Sequence, residues 1–240
     1  MKIFTAAIVI LALIPSAAVG RDVERGVILS NTVQYGLAFP SEGFTAYNLQ
    51  KEKIGKLGKD NDDTLDFYFI DDSSVKTGFV PKYRRIEYEL YALNYNILHD
   101  DGFVEIEQHT TGIFRPNQYD KLSVLVKLEE IEKLGFKTVP WMQVLVKNVG
   151  YLGYYAGGQG LRLRTESSTD SDIILLAYGG LFAISLTGET DGNWARVTVT
   201  KYKKSEPCSL AEDDIEYTKE GWMKVLDDEG NPNLVWSVSC

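Results

Sequence analysis

The sequence predicts a mainly β protein, and three observations carry that prediction. The chain sets 14 Tyr, 10 Phe and 4 Trp beside 21 Gly, a balance of strand-favouring and turn-forming residues. Its apolar runs are short and separated by polar or glycine-containing turns. Only residues 121–135 carry a helical period. At 44% hydrophobic, the 240 residues can bury one or two cores and do not have the composition of a disordered chain.

Residues 1–20 read as a secretory signal peptide. Lys2 precedes the apolar run Ile3–Ile14, and Pro15 leads to the small-residue cleavage site Ala18-Val19-Gly20. The run is shorter than the ~20 residues a spanning helix needs. Cleavage after Gly20 would leave a chain starting at Arg21. Losing Lys2 makes it one unit more negative than the formal −9 of the whole sequence. The expected location is exported, periplasmic or extracellular. No later stretch approaches ~18 apolar residues, so no transmembrane segment is expected. A pI near 4.9 opposes binding to nucleic acid or anionic lipid.

The strands follow in order. Val27–Ser30 is a short apolar run. Phe44–Tyr47 and Ile54–Leu57 flank a polar turn, and a charged loop over residues 58–63 leads to the aromatic strand Leu65–Ile70. Glu87–Leu93 alternates, and Gly102–Glu107 sets apolar against acidic residues as a half-buried strand does. Leu125, Leu128, Ile131 and Leu134 then recur every third residue among charges, with Gly135 as the C-cap, predicting one short amphipathic helix. Pro140-Trp141 reads as a turn into the apolar stretch Val144–Val146. Gly150 to Gly160 is rich in glycine and tyrosine and is the expected boundary, a linker or hairpin.

Beyond the boundary, Leu161-Arg162-Leu163-Arg164 puts leucines on one face of a strand and arginines on the other. A polar loop, Glu166–Asp172, precedes Ile173-Ile174, and Leu181–Leu186 is the next strand. Asp191-Gly192-Asn193-Trp194-Ala195-Arg196-Val197 is a turn and an aromatic strand, and Glu220–Val225 and Val235-Trp236 close the set. This succession resembles a bacterial SH3 (SH3b) domain over about residues 160–240. The acidic stretch Lys201–Lys219 lengthens the chain beyond the family's usual module. Residues 27–110 resemble a divergent second copy. Phe44–Leu57 is similar to the same strand–loop–strand opening, and Asp101-Gly102-Phe103 parallels Asp191-Gly192-Asn193-Trp194, a pattern that recurs near Gly221. The resemblance implies tandem SH3-like small β-barrels with one short helix between them. The expected division is a signal peptide at 1–20, a divergent SH3-like β domain at 21–120, a helix and connecting segment at 121–150 and an SH3b domain at 151–240.

Candidate chemistry is sparse. Cys208 and Cys240 are the only cysteines, and in an exported chain an even pair reads as a disulfide. A Cys/His nucleophile is disfavoured because neither cysteine precedes a helix. His99 and His109 are isolated, so no metal is expected. Asp60-Asn61-Asp62-Asp63 and Asp227-Asp228-Glu229-Gly230 read as solvated turns, because the first lacks the Gly and terminal Glu of a calcium loop. Gly158-x-Gly160 lacks the Lys and helix of a phosphate loop, so no cofactor is expected. No catalytic residue is assigned. Aromatics are the stronger signal. Trp194, Trp222 and Trp236 read first as barrel core, whereas Tyr151, Tyr154, Tyr155, Tyr178 and Trp194 are candidates for a groove that takes an extended peptide or a sugar. Tyr154 and Tyr155, beside glycines, are expected to be exposed. By resemblance, the chain is expected to be a non-catalytic binding or scaffold module for cell-wall peptide, glycan or an envelope protein. The alternatives are an accessory subunit of an envelope enzyme and a wall hydrolase with an unrecognised site.

Overall fold

The computed structural model describes residues 24–31, 36–37, 39–40, 42–59, 67–70, 83–87, 90–108, 123–147, 154–157, 159–204 and 212–236. The signal-peptide segment, Asp60 to Asp63, His109, Tyr151, Cys208 and Cys240 lie outside them. The fold is mainly β, built of two largely antiparallel sheets.

The first sheet contains β1 (Gly26–Ser30), β2 (Gly36–Leu37), β3 (Phe44–Tyr47), β4 (Lys53–Lys59), β5 (Phe67–Ile70), β6 (Tyr83–Glu87), β7 (Leu90–Leu98), β8 (Phe103–Ile106), β9 (Val124–Lys127) and β10 (Phe136–Pro140). The second contains β11 (Tyr154–Ala156), β12 (Leu161–Arg164), β13 (Ile173–Ala177), β14 (Phe182–Asp191), β15 (Trp194–Tyr202), β16 (Ile215–Lys224) and β17 (Leu234–Trp236). Helix α1 (Leu128–Lys133) joins β9 to β10, and α2 (Trp141–Lys147) follows β10 directly.

The two sheets repeat one strand order. The first runs β10-β1-β7-β8-β9-β3-β4, and the second runs β17-β11-β14-β15-β16-β12-β13. In each, a hairpin (β3–β4, β12–β13) lays its first strand on the last strand of a meander (β7–β8–β9, β14–β15–β16). In each, an initial strand (β1, β11) bridges the meander to a closing strand (β10, β17). Strands β2, β5 and β6 are additions to the first copy. The sequence parallel between Asp101-Gly102 and Asp191-Gly192 falls on the same meander turn of each copy. Gly221, by contrast, lies inside β16 and opens no strand.

The same local rule starts both hairpins. Gly43 and Gly160 stand one residue before β3 and β12, with φ of 71° and 75°. A Cβ on Gly43 would lie 2.6 Å from the Leu57 carbonyl oxygen, and one on Gly160 would lie 2.9 Å from that of Ala177. Leu57 and Ala177 are the register partners of Phe44 and Leu161, the residues that follow the glycines. Only glycine combines that dihedral with that approach.

Several expectations change. The predicted helix is shorter, and it lies within the first copy: Leu125 belongs to β9, a central strand buried on both faces, and only 128–133 wind. Gly135, at φ 82°, ends that turn as its sequence position implied. The first sheet therefore continues past residue 120 to Pro140. The helix at the junction is α2, where a turn was expected. Its signal was the spacing of Trp141, Val144 and Leu145, which together form its buried face. Tyr154–Ala156, inside the expected Gly-rich boundary, is strand β11 of the second sheet. Much of the acidic stretch over 201–219 is the far end of the β15–β16 hairpin, where Lys201 pairs with Tyr217 and Val199 with Lys219.

Two cores result. One, under the first sheet, includes Phe44, Leu57, Val104, Val126, Ile131 and Phe136. Phe44 meets Phe136 edge-on at 5.7 Å between centroids. The other is continuous from one sheet to the other: Val27 and Ala92 of the first join Trp141, Val144 and Leu145 of α2 and Ile184, Val199 and Leu234 of the second. Arg25 spans the same junction. Its Nη1 donates to Asn231 Oδ1 at 2.9 Å, and its Nη2 lies 3.8 Å from Glu229.

Candidate functional site

The second sheet has an aliphatic inner face. Ala195, Val197 and Val199 of β15 are buried beside Met223 of β16 and Leu163 of β12. The alternate residues face outward. Arg196 pairs in register with Trp222, and Trp222 pairs with Arg164 on its other side. Two residues along, on the same face, Trp194 pairs with Lys224, and Arg162 pairs with Leu176. Trp194 and Trp222 are thus half-buried on the outer face, which corrects their reading as core.

These outer residues make a groove of about 300 Å³. Arg162, Arg164, Leu176, Trp194 and Lys224 line it from four strands, and Thr169 overhangs it from the 165–172 loop. Hydrogen bonds fasten that loop. Thr165 N donates to Asp172 O at 3.0 Å, and Ser171 Oγ donates to Glu166 O at 3.0 Å. Arg164 Nη1 donates to Ser171 O at 2.5 Å, tying the guanidinium to the loop that covers it. The first copy has a groove on the corresponding hairpin and meander strand, lined by β3, β4, β9 and α1, of about 570 Å³. Its lining mixes Lys56, Lys127 and Lys133 with Glu42, Glu129 and Glu130. Glu130 Oε1 is already occupied, accepting from Thr45 N at 2.8 Å and Thr45 Oγ1 at 2.9 Å.

The predicted aromatic set divides. Trp194 lines the second-copy groove. Tyr178 is 63% exposed just past the end of β13, the terminal strand of the sheet order, away from the groove lining. Tyr155 is half-buried on β11. Tyr154 is 1% exposed, with its hydroxyl donating to Leu145 O at 2.9 Å, and burial pushes its pKa up to about 12. It is a core residue, because β11 turns it toward α2, so the expected exposure does not hold and it leaves the site. Tyr151 lies outside the described residues. The groove cations were missed as site residues, although the Leu-Arg alternation of 161–164 set both arginines on the face opposite the leucines.

The other candidates are structural. Asp227 Oδ1 accepts from the backbone N of Glu229 at 2.9 Å and of Asn231 at 2.8 Å, so this acidic turn is a self-bonded corner that meets Arg25. His99 Nε2 lies 3.7 Å from Glu105. Among the described residues, no group of three or more His, Cys, Asp or Glu is placed to hold a metal ion. None of the helices described is long and apolar enough to cross a membrane. No protein-family model, curated protein or solved structure matches the chain.

Proposed function

We propose that the chain is an exported, non-catalytic binding module made of tandem SH3-like units, the second of the bacterial SH3b type. In this reading the outer groove of the second copy recognises a cell-wall peptide or glycan. The repeated strand order carries it. A groove on the hairpin and the last meander strand occurs in both copies, although their lining residues differ, as expected of a scaffold that varies its ligand while keeping its frame. Trp194 and Leu176 supply apolar walls, and the strand register sets polar groups between them, a combination suited to an extended ligand. Export rests on the sequence of residues 1–20. The test is retention of the purified protein on isolated peptidoglycan at physiological salt, with Trp194→Ala as comparison. Retention that Trp194→Ala weakens by tenfold or more is expected; absence of retention would sink wall binding.

One observation favours a second reading, an accessory subunit held to an envelope protein. Ile173, Leu176 and Tyr178, all more than 45% exposed, stand on or beside β13 at the end of the sheet. Co-purification of a stoichiometric protein partner, lost when Ile173 and Tyr178 are replaced by Ser, would favour it.

A further inference from the structure

We infer that the second-copy groove is an oxyanion pocket that receives a carboxylate of an acidic peptide through Arg164, Arg162 and Lys224. This deepens the groove reading above and rests on it. The central observation is Arg164, which is 9% exposed and lines the groove. Its guanidinium carries five N–H donors, and Nη1 is held by the Ser171 carbonyl. Among the described residues no carboxylate lies within ion-pair distance of it. A buried charge without a counter-charge is costly, and proteins usually pair such groups or leave them to a ligand.

Arg196, across Trp222 on the same face, is the internal contrast. It is the more exposed of the two, yet Glu189 lies 3.2 Å from it and Glu220 4.0 Å. The more exposed charge has two partners, and the buried one has none among the described residues. The pocket as a whole repeats the pattern. Arg162 is exposed, and among the described residues it has no ion pair and no Asp or Glu lines the groove. This occurs in a chain with 34 acidic and 25 basic side chains. Lys224 bonds Asp228, whose side chain is 91% exposed and is free to exchange for a ligand. The matching groove of the first copy alternates lysines with glutamates and so neutralises itself.

A planar guanidinium fork favours carboxylate in a bidentate arrangement. Leu176 and Trp194 beside the cations suit the apolar part of a peptide better than a bare ion. The test uses the full exported chain and tryptophan fluorescence. The probes are N-acetyl-Leu-Glu-Leu-Glu-amide, its counterpart with Gln for Glu, and inorganic phosphate. The Glu peptide is expected to bind at least tenfold tighter than the Gln peptide. Arg162→Met and Lys224→Met, both at partly open positions, should each weaken it severalfold. Arg164→Met should abolish the preference while melting no lower than the original protein without ligand. Should Arg164→Met fail to fold, the other two variants decide. Equal binding of the two peptides overturns the oxyanion inference and leaves the groove reading standing. Phosphate binding as tightly as the Glu peptide overturns a peptide as the source of the anion. If neither peptide binds, the inference falls, and retention on peptidoglycan then decides separately whether the groove reading falls with it.

Discussion

Leu145→Ala probes how the two sheets are joined. Leu145 is fully buried on α2, in the one core shared by both sheets. Truncating a buried Leu removes its transfer free energy and leaves a cavity, together about 2–5 kcal/mol. The site has little freedom to collapse. The carbonyl of Leu145 is held by the Tyr154 hydroxyl at 2.9 Å, and α2 starts directly from β10 with Trp141 N bonded to Arg25 O at 3.0 Å. The expected loss is therefore in the upper half of that range, about 3–5 kcal/mol. A domain holds only about 5–15 kcal/mol in total, so such a loss is easily measured. Guanidinium unfolding followed by far-ultraviolet circular dichroism and by tryptophan fluorescence is the assay. The shared core predicts one coincident transition for both probes, displaced as a whole in the variant. Two resolved transitions, or a loss below about 1 kcal/mol, would refute the continuous core.

Tyr154 makes the joint sensitive to alkali. Its folded pKa is raised from 10.0 to about 12, so the stability tied to its protonated form is complete below pH 10 and is lost as pH rises toward 12. Tyr154→Phe should flatten that part of the alkaline stability profile, and an unchanged profile would remove Tyr154 as the cause. Gly43→Ala and Gly160→Ala should each cost about 2 kcal/mol or more, because strained φ and a backbone clash add. Gly102→Ala, at φ 81° with open space around it, should cost only about 1–2 kcal/mol in the same chemical denaturation. On the proposal of export, non-reducing mass spectrometry of the mature protein should find Cys208 bonded to Cys240, a loop closure worth about 3–4 kcal/mol, and two free thiols would exclude it. N-terminal sequencing of that protein should begin at Arg21.

Much of the β content was legible because it is a short-range property. The alternation of 161–164, the polar turn between β3 and β4 and the Asp-Gly turns before β8 and β15 each lie within a few residues of chain. The duplication was legible only in fragments. Phe44–Leu57 and Asp101–Phe103 hinted at it, but the added strands β2, β5 and β6 broke the spacing that would have aligned the copies. The helix was misplaced for a related reason. Leu125, Leu128 and Ile131 satisfy a period of three, yet β8 and β3 on either side of β9 claim Leu125 for the sheet, since pairing on both edges outweighs the weak propensity of a short helix. Phe103 and Val104, adjacent in sequence, are both buried because Tyr47 covers one face of β8, at 5.4 Å from Phe103, while the core covers the other.

By itself, then, the sequence determined the class of structure and which residues alternate across each strand. Alternation names two faces without saying which of them meets a core. Only the tertiary structure decided that Trp194 and Trp222 face outward while Tyr154 faces in, since that depends on which surface β11 and α2 cover. It alone set Arg164 deep in a groove with no described carboxylate within ion-pair distance. Burial and charge compensation are properties of neighbours brought together from β12, β15, β16 and the 165–172 loop, and no local stretch of chain contains them.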